Sequence, residues 1–358
     1  MTNSEQIPDA VPEHYTYVTK SLLRLHEHGV LTNVRSIDVE PEYGYVSRIN
    51  YDNEEHRIVY GYDLGLNAGA PCDVAKDKGH TKFILRASGI NCPAGKEFLL
   101  PWWAEVIGPS QQQRGHTDLS TVDSAARYIE DNLGFPAYVK PVSGSQGAGI
   151  HRVDNTDYLD EVFEEYDESR VRVAVVEEAI NMPDYRIVCL DGELISAYRR
   201  VPFSVTGNGV DTIKSLMLAK QQYYEEDGRD TILDLEDKRI GQYLESKGYA
   251  LDYIPRQEDE VALLPISNLS AGGTSEDVTD KIHDKWVSLA TGIVKNFNLR
   301  LGGVDFACED ITDPDVEYSV LELNSTPGLD NYAASGSAQK EIVDKLYTRV
   351  FNALPSHG

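Results

Sequence analysis

GGVDFACED (302–310) and YSVLELNSTPG (318–328), late in this 358-residue chain, read as two strands, and their polar side chains decide what the rest must be. Side chains alternate faces along an extended strand, so Glu322 and Asn324 share one side while Leu321 and Leu323 turn toward a core. With Asp305 from the first strand they form an oxygen-only ligand set. Hard cations suit such a set: magnesium takes carboxylate and amide oxygens and usually shares its sphere with the phosphates of a nucleotide.

A phosphate partner is therefore needed, and PAYVKPVSGSQGAGIHRV (136–153) offers a place for one. A β-rich run ends at Lys140, a Ser/Gly loop follows, and a second apolar run closes the segment. Gly144, Gly147 and Gly149 have no Cβ, so backbone N–H groups there can approach an anion closely. A glycine turn alone is more often a plain hairpin; joined to the lysine and the distant oxygen donors it reads as a phosphate loop. No GxxxxGK[ST] is present and no GxGxxG follows a strand, which removes the P-loop and dinucleotide-binding readings.

Composition narrows the classes further. Lys plus Arg number 33 against 59 for Asp plus Glu, a net charge of -26 that argues against nucleic acid or an anionic membrane as partner. With 41% hydrophobic residues the chain can bury real cores, and its length calls for two or three subdomains. Cys72, Cys92, Cys189 and Cys308 stand singly, without zinc spacing, and are expected to be reduced structural thiols. The start, MTNSEQIPDAVPEHY, has neither a basic n-region nor an apolar run, and no stretch reaches the roughly 18 apolar residues of a membrane span, so a cytoplasmic enzyme is expected.

Along the chain, a helix is expected around 17–29 and a strand meander after it. Helices follow near DKGHTKFILRASG and near TVDSAARYIEDNLG, the second with Thr121 as N-cap and Gly134 as its stop. PWWAEVIGPSQQQRGHTD (101–118) reads as an irregular insertion. YRIVCL and ELISAYRR form a hairpin across Asp191-Gly192. Helical spacing returns at 210–226 and 234–247, and strongest in Trp286, Leu289, Ala290, Ile293, Val294 and Phe297 and in Ile342, Leu346, Val350 and Leu354.

These segments together resemble the ATP-grasp superfamily of carboxylate-amine ligases, in particular the ATP-grasp region of cyanophycin synthetase and of the bifunctional glutathione synthetases. The likeness runs from about Asp73 to Gly336 and rests on DVAKDKGHTKFIL (73–85), VKPVSGSQGAG, VVEEAINMPDYRIVCLDGELISAYRRVPFSVTGNGVDTI (175–213), ISNLSAGGTSEDVTD (266–280), GVDFAC and LELNSTPGLDNY. It implies an α/β fold in which two subdomains grip ATP: a variable N-terminal part (1–72), a small subdomain with the glycine loop (73–175) and a C-terminal subdomain with the metal site (176–358). It implies ATP and one or two Mg2+ ions, Mn2+ being an acceptable substitute, small amino-acid or peptide substrates, and a chain compatible with a homodimer.

The residue roles implied by this likeness follow the chemistry of phosphoryl transfer, which asks for positive charge around spread negative charge. Lys78 and Lys140 resemble the two family lysines that reach the nucleotide phosphates, with Ser143, Gly144, Ser145, Gly147 and Gly149 folding over them. Glu177 or Glu178, with the backbone through Ile180, would meet the adenine edge, and Asp184 the ribose hydroxyls. Asp305, Glu322 and Asn324 would hold the metal. Of the hairpin arginines Arg186, Arg199 and Arg200, one would steady the acyl phosphate or the substrate carboxylate, surface ion pairing being the competing account.

Asn268, with Gly272 and Gly273, would line the acyl-phosphate side. Here the chain departs from pattern: relatives usually carry an arginine just before this loop, whereas this one reads Leu264, Pro265, Ile266, Ser267. Position 303 is glycine where D-alanine ligases carry an oxyanion-holding arginine, an absence shared with the cyanophycin branch. Arg200 therefore becomes the preferred oxyanion donor. The likeness stops short of the Mur-ligase-like half of a complete cyanophycin synthetase and of a glutamate-cysteine ligase domain, so full cyanophycin synthesis by this chain alone is not expected, and a glutathione-synthetase-like or dipeptide-forming role stays open. The alternative is a MgATP-binding regulator with a degenerate site, against which the intact lysines and oxygen donors speak.

Overall fold

The computed structural model describes residues 11–115, 119–144, 147–226, 237–265, 267, 269 and 272–355. In chain order the elements are α1 (Tyr17–Glu27), β1 (Val34–Val39), β2 (Val46–Tyr51), β3 (His56–Tyr60), α2 (Gly69–Lys76), α3 (Lys78–Ala87), β4 (Gly95–Leu99) and α4 (Pro101–Gln113). A helical run, Val122–Ser124, α5 (Ala125–Tyr128) and a wider-wound Ile129–Leu133, leads to β5 (Ala137–Pro141), β6 (His151–Val153), α6 (Thr156–Glu168) and β7 (Val173–Glu178). Then come β8 (Asp184–Leu190), β9 (Glu193–Val201), β10 (Ser204–Thr206), α7 (Ile213–Glu226), α8 (Lys238–Ser246), β11 (Glu260–Ala262) and β12 (Thr274–Asp277). The chain closes with α9 (Asp284–Asn296), β13 (Leu301–Cys308), β14 (Tyr318–Asn324), α10 (Asp330–Ala334) and α11 (Ser337–Asn352).

Two antiparallel sheets position the site. The larger runs β12-β9-β8-β13-β14, and the smaller β4-β7-β5-β6. In the larger one β13, LGGVDFAC, is buried along its whole length. Its neighbour β8 sends alternate residues to opposite faces, Ile187 and Cys189 into one core and Val188 and Leu190 into another. On the first face α9 packs Trp286, Ala290, Ile293 and Val294, joined by Cys72, Ala75 and Leu85 of α2 and α3. On the second, Leu22, Ile49 and Val59 of the amino-terminal part share a core with Leu346, Tyr347 and Val350 of α11. The smaller sheet has its own core with α6, around Val139, Leu159, Val162 and Val176. Residues 203–264 pack a fourth, around Phe203, Ile213, Met217, Leu244 and Leu263.

The hairpin of β8 and β9 turns where expected, Asp191 and Gly192 both taking positive φ (51° and 83°) as a tight two-residue turn requires. Gly134, at φ 76°, ends the helical run before β5. Thr121 stands at the N-cap position of that run as expected, but its hydroxyl donates to the Asp123 carboxylate at 3.3 Å and its side chain caps no backbone N–H. The 101–118 stretch is a second correction: its first 13 residues are α4, not an irregular insertion. Pro101 at the first helical position fixes φ without costing a needed N–H, and Trp102 anchors the helix by donating to Val171 O at 2.8 Å. All four cysteines are free and buried. Among the described residues no helix is long and apolar enough to cross a membrane.

Gly302 lets β13 and α9 meet. A Cβ built there would stand 2.8 Å from Cγ2 of Val294, a buried side chain with nowhere to go. Gly302→Ala should therefore destabilise the fold by ~1–3 kcal/mol, read as a lower midpoint in thermal melting than that of the unsubstituted protein.

Candidate active site

The larger sheet supplies a polar floor because its register stacks the right side chains. Asp305 pairs with Glu322 on one neighbouring strand and with Arg186 on the other, while Gly303 pairs with Asn324 and Asp184 with Arg200. Arg186 Nη2 donates to Asp305 Oδ2 at 3.1 Å, and its Nε also contacts that carboxylate. Arg200 Nη2 bridges Asp184 Oδ2 and Asp305 Oδ2, at 2.8 Å each. Asn324 Nδ2 lies 3.4 Å from Asp305 Oδ1. Burial pushes the Asp305 carboxyl up, but Arg186 and then Arg200 outweigh it and hold the group below the usual carboxylate range. Asp184 goes the other way: burial, only partly offset by Arg200, pushes it up to about 6.

Facing this floor is a cluster of lysines. Asp77 caps α3 by accepting from His80 N at 2.8 Å, which sets Lys78 at the start of the helix and Lys82 one turn on. Lys78 Nζ donates to Gly144 O at 3.0 Å and stands 3.6 Å from Glu322 Oε1, so it touches the glycine loop and the floor at once. Lys82 and Lys140, both buried, share the carboxylate of Glu177, itself only 4% exposed. Burial pushes the Lys140 amine down to about 8, with Glu322 opposing that shift and Lys78 adding to it. Lys82 is driven well below its ordinary value, by burial first and Lys140 next.

Lys82 escaped the sequence reading. Its signal was present as periodicity: Lys78, Thr81, Lys82 and Leu85 form the buried face of α3, and a lysine on the apolar side of an amphipathic helix needs an anion for company. Of the two acids expected at the adenine edge, Glu177 has its carboxylate occupied by the two lysines, so its side chain is not available there. Glu178 accepts from Ala94 N at 2.8 Å, and Ile180 lies half-buried in the link between β7 and β8.

Arg186 and Arg200 point to the floor, whereas Arg199 is exposed and pairs with Glu276 at 3.5 Å, so it does not face the cleft. Gly303 is explained by Arg186: a Cβ there would lie 3.0 Å from Arg186 Cδ, so the space above this glycine holds the arginine's stem. Ser143 forms a bridge with Asp77 at the foot of the loop, and Gly147 and Gly149 take positive φ (71° and 64°). Ser145 and Asn268 lie outside the described residues.

The residues present fit a magnesium ion and nucleotide phosphates. Two carboxylates directly opposite on paired strands, kept ionised on Asp305 and flanked by an amide, are hard oxygen donors. Among the described residues no group of three or more His, Cys, Asp or Glu is gathered as a metal site.

No family model matches the chain. It is 30% identical over 271 residues to cyanophycin synthetase of Synechocystis sp., and 32% identical over 269 residues to that of Trichormus variabilis, 73% of this chain in each case. It is 28% identical over 268 residues to the glutathione biosynthesis bifunctional protein of Mannheimia succiniciproducens. The chain spans only 28%, 27% and 32% of those relatives' lengths. A bifunctional glutathione synthetase from Pasteurella multocida superposes with a TM-score of 0.55 over 93% of this chain and 43% of its own, at 22% identity. The mixed α/β layers and this superposition give the chain an ATP-grasp fold. Over about three quarters of its length the chain is homologous to parts of cyanophycin synthetases and bifunctional glutathione synthetases.

Glu177→Gln leaves the buried amines of Lys82 and Lys140 without the carboxylate they share and should cost about 3–5 kcal/mol. Glu178→Gln removes one charged acceptor from a single N–H and should cost about 1 kcal/mol. Paired thermal melts check the order.

Proposed function

We propose that this protein is an ATP-dependent ligase that joins the carboxylate of an amino acid or short peptide to an amine, through an acyl phosphate, with release of ADP and phosphate. The observation that carries the reading is the contact of Lys78 with both sides of the cleft: one ammonium reaches Gly144 O of the loop and Glu322 of the oxygen floor. Cation, loop and metal donors are thus within one phosphate chain's reach of each other. The names of the homologues support the reaction class.

In this reading Lys78, Lys82 and Lys140 hold the phosphates, and the N–H groups of the 143–149 loop cover them. Magnesium, held by Asp305, Glu322 and Asn324, would supply positive charge against the phosphate oxygens. The substrate carboxylate attacks the terminal phosphorus as the bond to the ADP oxygen breaks; the amine then adds to the acyl carbon and phosphate leaves. Arg186 and Arg200, both half-buried against Asp305, keep planar donors in place for the oxyanion that develops at that carbon. Asn268, Ser145, Glu178, Ile180 and Asp184 keep the roles the resemblance implies.

The decisive measurement is phosphate release from MgATP with amino acids and dipeptides offered singly and in pairs. A ligase releases phosphate only when carboxylate and amine are both present, and the product gains the mass of an amide. Release without both partners, or none with any pair, overturns the proposal. Glu322→Gln should lower turnover by about 10–100-fold through weaker metal binding, with little change in melting midpoint.

Lys140 adds a pH test. Its amine, pushed down to about 8 by burial, gains a proton preference once phosphate lies beside it. Nucleotide binding at pH 8 to 8.5 should therefore take up protons, seen as a calorimetric enthalpy that varies with the ionisation heat of the buffer; Lys140→Met should reduce that dependence, and Lys82, also held below its ordinary value, accounts for what is left. The same shift enters stability with a definite sign. The folded value lies below that of an unfolded lysine, so the unfolded chain binds more protons between the two and this group makes the fold more stable as pH rises through that window.

A further inference from the structure

The carbonyls of the glycine loop are held from three elements. Lys78 of α3 takes Gly144 O, and Tyr166 of α6 donates its hydroxyl to Gly149 O. Arg239 of α8 donates Nη1 to Gly147 O at 2.9 Å, with Ile150 O at 3.5 Å. Arg239 is itself fixed: Asp237 accepts its Nε at 3.0 Å and its Nη2 at 2.6 Å, and also caps α8 by accepting Arg239 N at 2.9 Å. Unlike α3 and α6, α8 belongs to the 203–264 excursion, where Ile240 and Leu244 sit in a separate core with Phe203, Met217 and Leu263. One guanidinium therefore ties the phosphate-side loop to an independently packed module.

The tie has a directional consequence. A peptide unit is planar, with its C=O and N–H pointing opposite ways, so holding Gly147 O toward α8 turns the Ala148 N–H away from α8. Gly147 O also accepts Ile150 N at 3.3 Å, which closes the 147–150 turn around the same oxygen. We propose that Arg239 is a positioning residue that latches the glycine loop to the α8 module and presets the loop's N–H groups for the phosphates of a nucleotide. Setting those groups before binding removes an ordering cost from the binding step. The nucleotide part rests on the function proposed above; the latch itself does not.

The test compares Arg239→Ala and Arg239→Lys with the unsubstituted full chain. Hydrogen exchange of peptides covering 147–151, without nucleotide, should be about tenfold faster in R239A, the scale of one charge-assisted hydrogen bond. Calorimetric affinity for a magnesium-bound non-hydrolysable ATP analogue should fall by a similar factor. R239K keeps one donor but loses the fork on Asp237, and should fall between. Wild-type exchange in R239A overturns the latch; faster exchange with unchanged affinity overturns the presetting. If the unsubstituted protein binds no nucleotide while exchange still responds to R239A, the latch stands and the ligase reading fails. Should R239A not fold, R239K decides by exchange alone.

Discussion

Two buried lysine amines sharing the carboxylate of Glu177 are the constraint on which the site is built. Unpaired, either would shed its proton or stay in water, because desolvating a lone charge is costly. Sharing one acid, both amines stay inside the protein, and Lys78 stands between the glycine loop and the oxygen floor. In a chain of net charge -26, three lysines drawn this close are a local concentration of basic groups.

The floor obeys the same logic with signs exchanged. Asp305 sits among Arg186, Arg200 and Asn324, so its charge is stabilised before any metal arrives. Antiparallel register does the placing: once β8, β13 and β14 pair as they do, Arg186, Asp305 and Glu322 lie in one row across three strands. Lys78 closes the circuit between the two halves.

Much of this was legible because it follows from short-range rules. The period-2 reading of 318–324 put Glu322 and Asn324 on one face, and Asp191-Gly192 marked a turn whose φ values ordinary residues avoid. The stripe of Trp286, Ala290, Ile293 and Val294 marked α9. What escaped depends on partners far away in sequence. Lys82 looks like any solvated lysine until β7 brings Glu177 to it, and Arg239 shows nothing until α8 is seen against Gly147. Helix α4 was hidden by its two prolines and its polar end, although Pro101 at the first position is a start signal. Arg199 and Arg200 differ only by strand parity, which the hairpin register settles.

The stem of Arg186 lies over Gly303, so the cation above β13 comes from the strand beside it and not from β13 itself. Any side chain introduced at position 303 would compete with that stem for the same volume, so the charge of the floor depends on one residue having no side chain at all.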